Sequence, residues 1–196
     1  MMKFALATAN PGKIDEMREI LTELGIEVVS REELGIDIEV EETGDTFYEN
    51  ALIKARAICE ASGMPSIADD SGLIVKALGG APGVYSSSFG GDGLDDKGRR
   101  EYLLKKMENM EQRDARFVCT IICMFPNGDL ITAEGESTGE ILTEPRGTGG
   151  FGYDPVFITD GMDRANAELT QAEKNAISHR GRALREFAVM LREYGI

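Results

Sequence analysis

The chain has 196 residues, with 35 acidic against 21 basic side chains and a net charge of −14. That length suits a single domain with a full core, or two closely packed lobes. The charge argues against a polymeric nucleic acid partner, which calls for a basic face. No apolar run reaches the roughly 20 residues that span a bilayer, and the amino terminus lacks a leader-like apolar stretch, so a soluble, cytoplasmic protein without a membrane partner is expected. Cys59, Cys119 and Cys123 are odd in number and sit in apolar stretches away from other ligands, so they read as buried thiols.

Residues 4–9 form a strand pattern, and Ile14, Met17, Leu21 and Leu24 mark the apolar face of a following helix. Between them Asn10 suits an N-cap and Pro11 the first helical position, so free backbone N–H groups face outward beside Thr8 and Lys13. An anion fits there, although the spacing is not that of a Walker loop and the turn alone serves to reverse the chain. In residues 41–55, Thr46 and Glu49 form a capping box, and Phe47, Asn50, Ala51 and Lys54 share one helical face. An amide and an ammonium on an inward face need partners.

Ile67-Ala68-Asp69-Asp70-Ser71-Gly72-Leu73 puts two carboxylates and a hydroxyl after an apolar run, in what reads as a turn at the mouth of a sheet. Neighbouring carboxylates there hold a divalent cation or accept a proton, and a plain turn aspartate is the alternative. Residues 94–110 read as a helix capped by Asp95 or Asp96, with Tyr102, Leu103, Met107 and Met110 inward. Residues 116–125 read as a strand, Asn127-Gly128 as a two-residue hairpin turn, and 130–136 as the returning strand, so the sheet is mixed.

In Gly147-Thr148-Gly149-Gly150-Phe151-Gly152-Tyr153-Asp154 an aromatic ring flanked by glycines is placed to stack on a planar ligand, ahead of a strand near Val156. Hinges are expected in residues 79–83 or 145–150. Thr170 and Glu173 make a second capping box, and Ser178 caps a further helix beginning at His179 and Arg180. Donors grouped there suit a purine carbonyl; the closing helix buries Leu184, Phe187, Ala188, Leu191 and Tyr194.

Taken in order, Thr8-x-Asn10-x-x-Lys13, Glu41-Glu42-Thr43-Gly44 with Thr46-Phe47 and Asn50-Ala51, the 67–73 segment, Gly79-Gly80-Ala81-Pro82-Gly83, Gly149-Gly150-Phe151-Gly152-Tyr153-Asp154-Pro155 and Ser178-His179-Arg180-Gly181 resemble the inosine triphosphate pyrophosphatase family. The resemblance implies a single nucleoside triphosphate pyrophosphatase domain over 1–196. Its implied fold is α/β, with a mixed, elongated central sheet flanked by helices and two closely packed lobes with the active site in the cleft between them. It further implies hydrolysis of free nonstandard purine nucleoside triphosphates to monophosphate and pyrophosphate, Mg2+ as cofactor, and a homodimer.

Carried over residue by residue, the resemblance makes Asp70 the catalytic base and Glu41 and Asp70 the metal ligands. Thr8, Ala9, Asn10, Pro11, Gly12, Lys13, Lys54 and Ser71 then hold the phosphates, and Phe151, Gly152, Tyr153, Asp154, Lys174, His179 and Arg180 take the base. Adjacency alone does not decide between Asp69 and Asp70 or between Glu41 and Glu42, since neighbours on a strand point oppositely. Ser88 departs from the family, many members of which carry arginine there. A pyrophosphatase for modified pyrimidine triphosphates and a noncatalytic nucleotide sensor are the alternatives. The 151–154 and 178–180 motifs argue against the first, and the retained carboxylates against the second.

Overall fold

The computed structural model describes residues 2–196. Its strands are β1 (Lys3–Leu6), β2 (Glu27–Ser30), β3 (Ser66–Val75), β4 (Asp114–Met124), β5 (Leu130–Ile141) and β6 (Phe157–Thr159). The helices are α1 (Pro11–Glu23), α2 (Phe47–Ser62), α3 (Asp96–Lys106), α4 (Gln171–Ile177) and α5 (His179–Glu193). The six strands run in the order β2-β1-β3-β4-β5-β6. β1 is parallel to β2 and β3, whereas β5 and β6 are antiparallel, so the sheet is mixed as the strand-helix alternation and later hairpin imply.

The chain divides into two compact units. The first comprises Met1–Asp70, Cys119–Gly135 and His179–Ile196, and the second Ser71–Val118 and Glu136–Ser178. Both segments expected to be hinges fall inside the second unit rather than where the chain passes between units.

In the first unit the two-residue period of the strands sorts side chains onto two faces. Phe4, Leu6, Ile67, Cys119, Ile121 and Cys123 join Met17 and Leu21 of α1 and Leu184 and Phe187 of α5 in one core. The intervening Ala5, Ala7, Ala68 and Ile122 face Ala51, Ala55 and Ile58 of α2 in another. Alanine on both sides of this second contact lets α2 lie close to the strands, which brings Asn50 and Lys54 within reach of β3. The start of α5 is seated as tightly, since a Cβ on Gly135 of β5 would meet His179 O at 2.3 Å and Ala183 N at 2.5 Å.

The second unit packs Leu73 and Val75 of β3, Leu103 and Met107, Phe117 of β4, Ile141 of β5, Tyr153 and Phe157 into its own core. Phe117 and Phe157 meet edge to face at 4.7 Å between centroids.

Four local expectations differ from the structure. The 67–73 segment is no turn, because β3 runs unbroken from Ser66 to Val75. It is β1 that leaves, after Leu6 pairs with Ile67, to turn at residues 8–10 into α1, so the two aspartates still lie at a strand end, that of their neighbour. The hairpin loop has three residues: Gly128 N donates to Phe125 O and Phe125 N to Asp129 O, with Gly128 at φ +94°. Pro126 suits the first turn position and glycine the left-handed third.

Met110 is 36% exposed because α3 ends at Lys106, short of it. Tyr194 lies one residue past α5 and is 41% exposed, with its ring stacked on Phe125 and its hydroxyl on Asp129. All three cysteines are free and buried, and burial pushes the Cys119 thiol up to about 12. Among the described residues no helix is long and apolar enough to cross a membrane.

Candidate functional site

The first half of the site begins where β1 turns into α1. Asn10 caps the helix by accepting from Lys13 N at 3.2 Å, and Thr8 Oγ1 accepts from Asn10 N at 3.1 Å. Pro11 follows at the first helical position, so the cap is the one its residues dictate. Thr8 is buried, Ala9, Asn10 and Pro11 are exposed, and Gly12 and Lys13 are half-buried. Free N–H groups at the positive end of a 13-residue helix, with an ammonium alongside, have the chemistry that suits an anion.

The alternation that sorts the core also separates the two aspartates. Asp69 continues the face of Ile67, toward α1 and α5. It meets Lys13 Nζ at 2.9 Å and Arg180 Nη2 at 3.2 Å, while Arg180 Nη1 donates to Glu16. Asp69, Glu16 and Arg180 are each at most 2% exposed. Burial works against the Asp69 carboxylate, but Lys13, Arg180 and Lys54 outweigh it and hold its pKa well below the usual range. This aspartate is a fixed anion that orients Lys13.

Asp70 continues the face of Ala68, toward α2. Lys54 Nζ lies 3.1 Å from its Oδ1, and Asn50 Nδ2 donates to its Oδ2 at 3.4 Å. Asn50 Oδ1 in turn accepts from Gly44 N at 2.8 Å, and Lys54 reaches Glu42 at 3.0 Å. Both polar groups of the inward α2 face thus have partners, as their burial requires. Burial raises the Asp70 pKa to about 6; Lys54 and Lys13 oppose the rise and Glu42 adds to it.

Because this folded-state value lies above the ordinary one, ionising Asp70 disfavours folding. Its contribution to stability is fully present below about pH 4 and is lost as pH rises through 6. The stability of the parent relative to Asp70→Asn is therefore expected to fall between pH 4 and 7, measured by urea denaturation without added metal. A difference that is flat or rises over that window contradicts the environment described for Asp70.

Glu41 and Glu42 are both exposed, and it is Glu42 that reaches the Lys54–Asp70 pair. Among the described residues no three His, Cys, Asp or Glu side chains are grouped to hold a metal on their own. Ser71, next along β3, is half-buried.

In the second unit, Lys174 is buried on α4, which begins at the predicted capping box of Thr170 and Glu173. Its Nζ pairs with Asp154 at 2.5 Å and stands 4.7 Å from the centroid of the Phe151 ring. Asp154 also accepts from Phe151 N at 2.9 Å. Gly150 permits this closeness, since at φ +66° a Cβ there would lie 2.2 Å from Asp154 Oδ2. Gly152 is half-buried and Tyr153 buried, with the Tyr153 hydroxyl donating to Ser86 O at 2.8 Å.

Of the residues expected to take a base, Phe151, Asp154 and Lys174 are thus brought together here. His179 and Arg180 stand at a helix start as predicted but belong to the first unit, where the Arg180 guanidinium is engaged by Glu16 and Asp69. Glu16 was missed by sequence reasoning. Its sole signal was a charge one turn after Lys13, on the side of α1 that carries Met17 and Ile20.

The chain is 50% identical over 202 residues to the dITP/XTP pyrophosphatase of Aquifex aeolicus (strain VF5), covering 97% of each protein. It is 47% identical to the dITP/XTP pyrophosphatase of Bacillus subtilis (strain 168), covering 97% of this chain and 98% of that one. The solved structure of a HAM1 protein from Coxiella burnetii matches with a TM-score of 0.88 and 43% identity, over 98% of this chain and 100% of that chain. The pattern of the Ham1 family matches residues 4–190, and the chain belongs to the Ham1 family.

Proposed function

We propose that the chain hydrolyses nonstandard purine nucleoside triphosphates, such as ITP, dITP and XTP, to the monophosphate and pyrophosphate, and so clears deaminated bases from the nucleotide pool. The observation that carries this reading is the opposite facing of the two aspartates: Asp69 is neutralised by Lys13 and Arg180, whereas Asp70 keeps a poorly solvated carboxylate beside Lys54 and Glu42. The names of the relatives support the substrate class.

In this reading Thr8, Asn10, the N–H groups of α1, Lys13 and Ser71 hold the phosphate tail, and Lys54 offsets its charge. Asp70 accepts the proton of the attacking water. Phe151 stacks on the base. Lys174 donates toward the oxygen that hypoxanthine and xanthine carry where adenine has an amino group, so adenine leaves that donor unpaired. Arg180 is assigned to the ion cluster that fixes Asp69 rather than to the base, because three of its N–H groups already serve carboxylates.

Magnesium fits the donor set on chemical grounds. Carboxylate oxygens are its preferred protein ligands, it needs only one or two of them when phosphates complete the shell, and the burial cost on Asp70 is one a bound cation relieves. Asp70 and Glu41 are the proposed ligands, with Glu42 held nearby on Lys54. When bound, the ion would offset charge on the phosphate oxygens.

A panel of ITP, XTP, ATP, GTP and modified pyrimidine triphosphates, run with and without magnesium in oxygen-labelled water, tests the reading. Magnesium-dependent turnover of ITP and XTP is expected, with label in the monophosphate. Label in pyrophosphate, or release of orthophosphate, removes Asp70 from beside the α-phosphorus. No turnover of any nucleotide, despite binding, favours a sensor.

A further inference from the structure

The loop that carries Phe151 is held by a helix to which no role has been given. The Gly152 N–H donates to Asp96 Oδ2 at 2.8 Å, and Arg100 Nη1 donates to Gly152 O at 2.8 Å. Asp96 and Arg100 lie one turn apart at the start of α3, so one helix face holds both peptide groups that follow the Phe151 side chain. Asp96 is not consumed in capping its own helix, because Asp95 does that by accepting from Gly98 N at 2.7 Å. The other Asp96 oxygen is braced by Arg99 at 2.8 Å. On the amino side, Phe151 N–H is tied to Asp154.

A ring set among Gly149, Gly150 and Gly152 would otherwise sample many backbone states, and each must be given up when a base stacks on it. Gly152 sits at φ +59° with open space around its α-carbon, so local packing does not hold that bend. The hydrogen bonds from α3 do.

We propose that Asp96 and Arg100 are positioning residues that preorganise Phe151 to receive the purine base. This rests on the base-stacking reading of Phe151. Fixing a binding group in advance lowers the entropic cost of association without changing the chemical step. The effect is therefore one on KM and on the base-bearing part of the ligand, not on the phosphate tail.

The test compares Asp96→Ala, Asp96→Asn, Arg100→Met and Phe151→Ala in the full chain, using kcat and KM for ITP and inhibition by inorganic tripolyphosphate, which has no base. Asp96→Ala and Arg100→Met should each raise KM by about tenfold, the worth of one charged hydrogen bond. Turnover should stay within about twofold and tripolyphosphate inhibition should be unchanged. Asp96→Asn, which still accepts from Gly152, should recover much of the loss. In a Phe151→Ala background neither change should raise KM further.

An unchanged KM in the α3 variants, while Phe151→Ala raises it, overturns the proposal. So does a parallel loss of tripolyphosphate binding, or additivity with Phe151→Ala. If Phe151→Ala itself leaves KM unchanged, the stacking reading fails instead. Because Asp96 and Arg100 are changed separately, misfolding of one variant leaves the other to decide.

Discussion

Replacing Asp70 by asparagine is expected to lower the turnover of ITP by roughly 10²-fold or more, the usual worth of a positioned general base. Asparagine keeps the shape but has one acceptor oxygen where Asp70 has two, so it still accepts from Lys54 or from Asn50 but not from both, and the fold of the variant is checked beside its rate. Asp69→Asn is not equivalent. That side chain faces Lys13 and Arg180 and holds its proton too weakly to serve as a base near neutral pH. Steady-state rates of the two variants at saturating magnesium, on protein with parent-like circular dichroism, decide the matter. An Asp70→Asn protein that turns over ITP at the parent rate is incompatible with the assignment.

Loss of the Arg180 guanidinium is expected to be the most destabilising single change in the first unit, by about 3–5 kcal/mol for Arg180→Leu. The side chain is 2% exposed and joins two carboxylates that are themselves buried, Asp69 at 0% and Glu16 at 2%. Leucine fills part of the space but leaves both anions without it, and the cost of an uncompensated buried charge exceeds the value of the ion pair that is lost.

The pH dependence has a definite sign. With its folded-state pKa lowered, Asp69 contributes stability that is complete at neutral pH and is lost only in strong acid. Without Arg180 that loss should begin at higher pH. Urea denaturation of the parent, Arg180→Leu, Asp69→Asn and the double variant measures the coupling. A destabilisation below about 1 kcal/mol, typical of a surface pair, would show that the cluster is not the buried one described.

These two aspartates also mark the border between local and distant information in this chain. Helix starts at Asn10, Thr46 and Thr170, and that of α3 to within the pair Asp95 and Asp96, were legible because a capping bond spans three residues and depends on nothing else. The inward Asn50 and Lys54 on α2 followed from helical period, and the mixed sheet from the spacing of strand and turn signals. The ordered motifs carried the family for the same reason, since residues close in sequence keep their spacing whatever the fold around them.

Which aspartate faces which helix was not legible. The two-residue period guarantees only that Asp69 and Asp70 point apart. Choosing the face requires knowing that α1 and α5 cover one side of β1 and β3 while the alanines of α2 cover the other. The partner of Arg180 lies 164 positions away at Glu16, and Gly152 is held from positions 56 and 52 residues earlier. No periodicity links such residues. Buried charge must find its counter-charge wherever the backbone delivers it, so the pairing that separates a structural carboxylate from a reactive one is settled by packing alone.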